Sequence, residues 1–72
     1  MSIQETLGIR IRDYRKSKNL SQERFAGRCG LDRTYIFSIE KGKRNISVNV
    51  LLKIAKELDV DVCELIKDLD KV

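Results

Sequence analysis

Apolar residues recur at helical spacing along nearly the whole chain. Near the N-terminus Ile3, Leu7, Ile11 and Tyr14 stand four, four and three residues apart, which places them on one face of a helix. Ser2 and Glu5 form the S-x-x-E pattern of a capping box in front of that stripe, so the spacing predicts a helix over Ile3–Ser17. Gly8 weakens it by roughly 1 kcal/mol relative to alanine, which points to close packing against another helix. Asn19 suits a left-handed turn, and Leu20 ties that turn to the core. Ser21 is a good N-cap for a helix over Gln22–Arg28, with Phe25 and Ala26 on one face and Glu23, Arg24 and Arg28 on the other. Gly30 tolerates the positive φ of a tight turn, and Asp32 caps a third helix over Arg33–Lys41. There Ile36 and Ile39 share a face, and Gly42 ends the helix. Ser47 caps a fourth helix over Val48–Leu58, whose Val48, Leu51, Leu52, Ala55 and Leu58 keep the helical period. Asp59 accepts the left-handed conformation at its end. Asp61 caps a fifth over Val62–Leu69, and there is no proline to break the series. The expected class is all-α, with five helices.

The second and third helices form a helix-turn-helix. Phe25, Cys29, Leu31, Ile36 and Ile39 supply the core between them, and the small Ala26 lets them cross closely. The best-attested use of this unit places its second helix in the DNA major groove. An αα-hairpin inside some other helical protein is the plainer alternative. The cap, small residue, glycine, second cap and apolar pair all fall in register, which favours the helix-turn-helix. Such a helix enters the groove N-terminus first, so its early residues face the bases. Arg33 is the main candidate base reader, because its fork suits the O6 and N7 of guanine. Thr34 offers a methyl or a hydroxyl, and Ser38, four residues on, shares that face. Tyr35 lies on the flank, where it reaches a phosphate or packs into the core. Gln22, at the start of its helix, and the run Lys41, Lys43, Arg44 and Asn45 are candidates for the DNA backbone. For each lysine alone a solvated surface charge is the alternative.

Length and charge sharpen this picture. The 72 residues are read as one domain, close to the lower limit for a self-sufficient core. Net charge is +4, and it is sorted. Residues 1–45 hold eleven Lys or Arg against five Asp or Glu, whereas residues 46–72 hold four against six. The N-terminal half therefore faces a polyanion and the C-terminal helices face away. Val62, Leu65, Ile66 and Leu69 are more large apolar residues than one small core absorbs on a short terminal helix, so part of that face is expected against a second copy of the chain.

Other chemistries are excluded by what the chain lacks. It contains no histidine, no nucleophile with a base at motif spacing and no Gly-rich phosphate loop, since Gly42-Lys43 lacks the upstream glycine of a P-loop. An enzyme is not expected, nor a cofactor or metal. Cys29 and Cys63 are too few and too far apart for a zinc site or a disulfide framework, and both are expected as buried, reduced thiols. The longest apolar run is Val50-Leu51-Leu52, so no membrane span or signal peptide is expected, and the location expected is the cytoplasm.

The run LSQERFAGRCGLDRTYIFSIEKGKRNIS, followed by VLLKIAKELDV, resembles the DNA-binding domain of phage-repressor-like bacterial regulators of the Xre family. Within that family, LDRTYI followed by IEKGKRNIS looks most like the controller proteins of restriction–modification systems. The resemblance covers about residues 5 to 68 and implies a five-helix, lambda-repressor-like fold. It also implies a homodimer, built largely by the C-terminal helices, on a pseudo-palindromic operator with half-sites about 34–36 Å apart. Controller proteins bind their own promoter region, activating at low concentration and repressing once a second dimer binds. RNA polymerase is then a further candidate partner. The family pattern pairs Arg15 with Glu40 as a largely buried structural ion pair. Phe37 departs from the family, which usually carries a small or polar residue there. It can touch a thymine methyl or pack sideways on the loop. The rival reading is a small Xre-type repressor of phage or toxin–antitoxin origin that acts with a protein partner, although little chain follows Leu69 for a toxin-binding extension.

Overall fold

The structure, a computed structural model, describes residues 1–71. Five α-helices follow in order: α1 (Ile3–Ser17), α2 (Gln22–Cys29), α3 (Arg33–Glu40), α4 (Val48–Leu58) and α5 (Val62–Ile66), then a 3-10 turn at Leu69–Lys71. Each helix starts where a side chain satisfies its first free amides. The Ser2 hydroxyl accepts from the Glu5 N–H while the Ser2 N–H donates to the Glu5 carboxylate, a complete capping box. Ser21, Asp32, Ser47 and Asp61 accept in the same way from Arg24, Thr34, Val50 and Cys63. Left-handed residues close the turns, at Asn19 with φ 57°, Gly30 with φ 68° and Asp59 with φ 57°.

The core is one cluster drawn from every α-helix: Ile11 from α1, Phe25 from α2, Ile36 from α3, Ile54 and Leu58 from α4 and Leu65 from α5 are all fully buried. α1 crosses α3 at Gly8. A Cβ there would fall 2.5 Å from the Ile39 carbonyl oxygen and 2.7 Å from that of Glu40, so only glycine permits the approach. α4 packs against α2, and α5 folds back onto α1 and α4.

Several expectations are corrected. The fifth helix ends at Ile66 rather than Leu69, because Asp68 turns left-handed with φ 58°. There the Arg10 guanidinium, reaching across from α1, donates to the carbonyls of Leu65 at 3.1 Å and Lys67 at 2.5 Å, and so supplies the donors that the free carbonyls at the helix end lack. Leu65 faces the core of its own chain, which removes it from any surface offered to a second copy. Cys63, two positions from Leu65, consequently points outward and is exposed, while Cys29 is buried. Burial pushes the Cys29 thiol up to about 11, and the Asp61 carboxylate raises that of Cys63. Val48 and Leu52 keep the helical period but are 70% and 48% exposed, since Leu51, Ile54, Ala55 and Leu58 fill the side of α4 turned inward. At the boundaries, α2 runs one residue further, to Cys29, and α3 stops at Glu40 with Lys41 as its cap.

Candidate nucleic-acid interface

The site begins beneath the surface. Arg15, near the end of α1, and Glu40, the last residue of α3, are both 7% exposed and meet in a two-point contact. Nε lies 2.7 Å from Oε2 and Nη2 3.0 Å from Oε1. Arg15 also donates to the Leu20 carbonyl at 2.7 Å, and the Gln22 amide donates to Glu40 Oε1 at 3.1 Å. Among the described residues no buried side-chain nitrogen or oxygen lacks a partner. One clasp thus joins the end of α1, the turn before α2, the start of α2 and the end of α3. A buried pair contributes little net stability against a well-packed apolar pair, but it fixes geometry and is costly to break. Here it ties the end of α3 to the end of α1.

On that support, the first turn of α3 turns outward. Arg33 and Thr34 are exposed, and Phe37, one turn further on, is 48% exposed. With Gln22 they line one shallow hollow. The Lys41 ammonium lies 5.5 Å from the centre of the Phe37 ring, a cation–π contact that holds both side chains at the surface. Ser38 is half-buried beside them.

The remaining candidates gather on the loop after α3. Gly42 has φ 74°, and a Cβ there would meet Glu5, so the loop lies directly on the start of α1. The Asn45 side chain accepts a hydrogen bond from the Gln4 amide, which ties the loop down. Tyr35 is half-buried against the core, and the Arg44 guanidinium stacks 5.1 Å from its ring centre. Lys43 and Arg44 remain exposed. The candidate residues therefore fall into two adjoining groups, one at the exposed face of α3 and one on its trailing loop.

Of the residues read as facing a second copy, Ile66 is 42% exposed and Val62 and Leu69 are half-buried. Val48 and Leu52 of α4 add to this exposed apolar surface and were missed. Their signal was present, since a second apolar stripe at spacing four runs beside the inward one. Arg10 carried no such signal, because its partners are backbone carbonyls more than fifty residues away.

Comparison with known proteins places this geometry in a family. The sequence profile of the helix-turn-helix family HTH_3 matches residues 11–65, most of the chain, and the chain belongs to that family. Its relatives are more particular. It is 48% identical over 65 residues to the control protein C.MunI of a Mycoplasma species, covering 89% of this chain and 88% of that one. The crystal structure of the restriction–modification controller protein C.AhdI from Aeromonas hydrophila superposes with a TM-score of 0.84 at 44% identity, covering 86% and 94% of the two chains. A third, the controller protein C.Esp1396I, solved as a tetramer with its natural 35-base-pair operator, gives a TM-score of 0.83 at 32% identity over 99% of this chain and 93% of that one.

Proposed function

We propose that this chain is a sequence-specific transcriptional regulator that binds DNA as a homodimer and controls a restriction–modification operon, including its own promoter. The observation that carries the reading is the outward first turn of α3, with Arg33, Thr34 and Phe37 exposed on a helix that the Arg15–Glu40 clasp ties to α1. Arg33 reads a guanine through its bidentate fork, Thr34 and Ser38 add a methyl or hydroxyl, and Phe37 meets a thymine methyl. The first-turn amides of α2, headed by Gln22, receive a phosphate. Tyr35, Lys41, Lys43, Arg44 and Asn45 hold the backbone and set the register without reading sequence.

One protomer presents a single α3 and measures 31 Å along its longest axis. Two recognition helices in successive major-groove faces stand about 34–36 Å apart, so a symmetric operator calls for two copies. The exposed apolar residues Ile66, Leu52 and Val48, with the half-buried Val62 and Leu69, supply the surface that joins them. Two dimers on one operator would extend the same geometry to four copies, the number in the C.Esp1396I tetramer on its operator. An activating dimer would also touch RNA polymerase, and such a regulator works in the cytoplasm.

The test is a mobility-shift titration on the DNA immediately upstream of the gene, with wild type and Arg33→Ala at two salt concentrations. Successive shifts that weaken with salt and disappear with Arg33→Ala support the reading. Weak binding, equal on unrelated DNA and indifferent to Arg33, would overturn it.

A further inference from the structure

A second hollow lies on the α1 side of the interface and shares Gln22 and Phe37 with the first. Its floor is the Arg15–Glu40 pair, whose charges cancel. Arg12 and Lys16, one helical turn apart on α1, and Lys41, at the end of α3, complete its lining. All three are exposed. Among the described residues the ion pairs are Arg15–Glu40 and Lys71–Asp68, so none of these three cations is spent on a carboxylate. Lys41 is held over the Phe37 ring, so its ammonium sits at the boundary of the two hollows.

We infer that this hollow is a second phosphate seat, in which Arg12, Lys16 and Lys41 grip the DNA backbone on the α1 side of the recognition helix. Three unpaired cations around a neutralised floor favour a compact anion carrying no base information. Continuity with the base-facing hollow through Gln22 and Phe37 identifies that anion as a backbone phosphate of the strand that α3 reads. The inference rests on the proposed DNA binding, and it adds α1 to an interface otherwise confined to α2, α3 and the following loop.

The experiment measures the salt dependence of binding for wild type, R12Q/K16Q and the charge-matched control K53Q/K56Q, whose exposed lysines lie on α4. The probes are a labelled duplex from upstream of the gene and an unrelated duplex of the same length. Arg33→Ala is run in parallel, and circular dichroism checks each fold. Each phosphate contact contributes about 0.9 to the slope of log affinity against log salt, so R12Q/K16Q should lower the slope by about 2 per bound protomer. It should weaken both duplexes by the same factor and leave the preference for the upstream duplex intact, while the control leaves the slope near that of wild type. If wild type binds the upstream duplex through Arg33 but R12Q/K16Q keeps the wild-type slope, the α1 seat is wrong and the DNA-binding reading stands. An equal loss in the control would also overturn the seat, since net charge alone would then explain it. If wild type shows no Arg33-dependent preference, the functional reading itself fails and the seat falls with it.

Discussion

The two halves of this molecule solve opposite problems with the same kind of helix. In α1–α3, a glycine crossing, a left-handed turn and a fully partnered ion pair lock three short helices against one another. In α4–α5, one helix has only five residues, its end depends on a single arginine from α1, and Val48, Leu52 and Ile66 stay exposed. The cysteines follow the division, with Cys29 buried in the first half and Cys63 exposed in the second. A surface that reads bases must hold its side chains at a set angle, so rigidity is concentrated beneath α3. The homodimer proposed here needs apolar area left uncovered, and the C-terminal half leaves it.

Breaking the clasp should have the largest effect. Glu40→Ala strands the buried Arg15 guanidinium and should cost about 3–5 kcal/mol, measured by urea unfolding. That is much of the roughly 5–15 kcal/mol that holds a small domain together. R15M/E40L, which removes both charges, should recover much of the loss if the pair acts chiefly to fix geometry. Next comes Gly8→Ala, whose new methyl meets two backbone oxygens that cannot move aside cheaply. It should cost about 1–3 kcal/mol, outweighing the gain of roughly 1 kcal/mol in helix propensity, and lower the melting temperature. Gly27→Ala makes the same exchange on α2 where a Cβ meets nothing within 4 Å. It should stabilise by about 0.5–1 kcal/mol, so the two glycine variants should move in opposite directions.

The smallest effect is acid sensitivity, and one helix cap in each half reports it. A backbone hydrogen bond from Ser2 holds the Glu5 carboxyl below its ordinary range, and one from Cys63 does the same for Asp61. A carboxyl depressed in the folded state adds stability above its unfolded value, and that contribution is lost as pH falls through the folded one. Unfolding measured from neutral pH to about pH 2 should therefore show a shallow acid loss below about pH 4. Glu5→Gln and Asp61→Asn should each flatten it.

The boundaries of α1 and α4 were legible because their caps are local, with serine ahead of each and left-handed Asn19 or Asp59 behind. The helix-turn-helix was legible for the same reason, since cap, glycine, cap and apolar pair all lie within a short stretch. The end of α5 was not, because it depends on Arg10 meeting carbonyls in a segment remote in sequence. The apolar period of Val62, Leu65, Ile66 and Leu69 says nothing about Asp68 turning left-handed. Within the candidate interface, residue types and spacing pointed to Arg33, Thr34 and Phe37, which the fold leaves exposed around one hollow. The Gln22–Glu40 contact, the stacking of Arg44 on Tyr35 and the tie from Gln4 to Asn45 needed the fold. So did the hollow that Arg12 and Lys16 line, since two exposed cations on α1 look like solvated charges until α3 is packed beside them.

Dimethyl sulfate footprinting of the upstream DNA reports whether the first turn of α3 reads bases in the major groove. The reagent methylates guanine N7, the atom assigned to Arg33. Protected guanines are expected in two clusters about one helical turn apart, with protection lost in Arg33→Ala at protein concentrations that still occupy the DNA. Full occupancy by wild type with every guanine N7 still reactive would contradict base reading by α3, because the protein would then be bound without α3 in the groove.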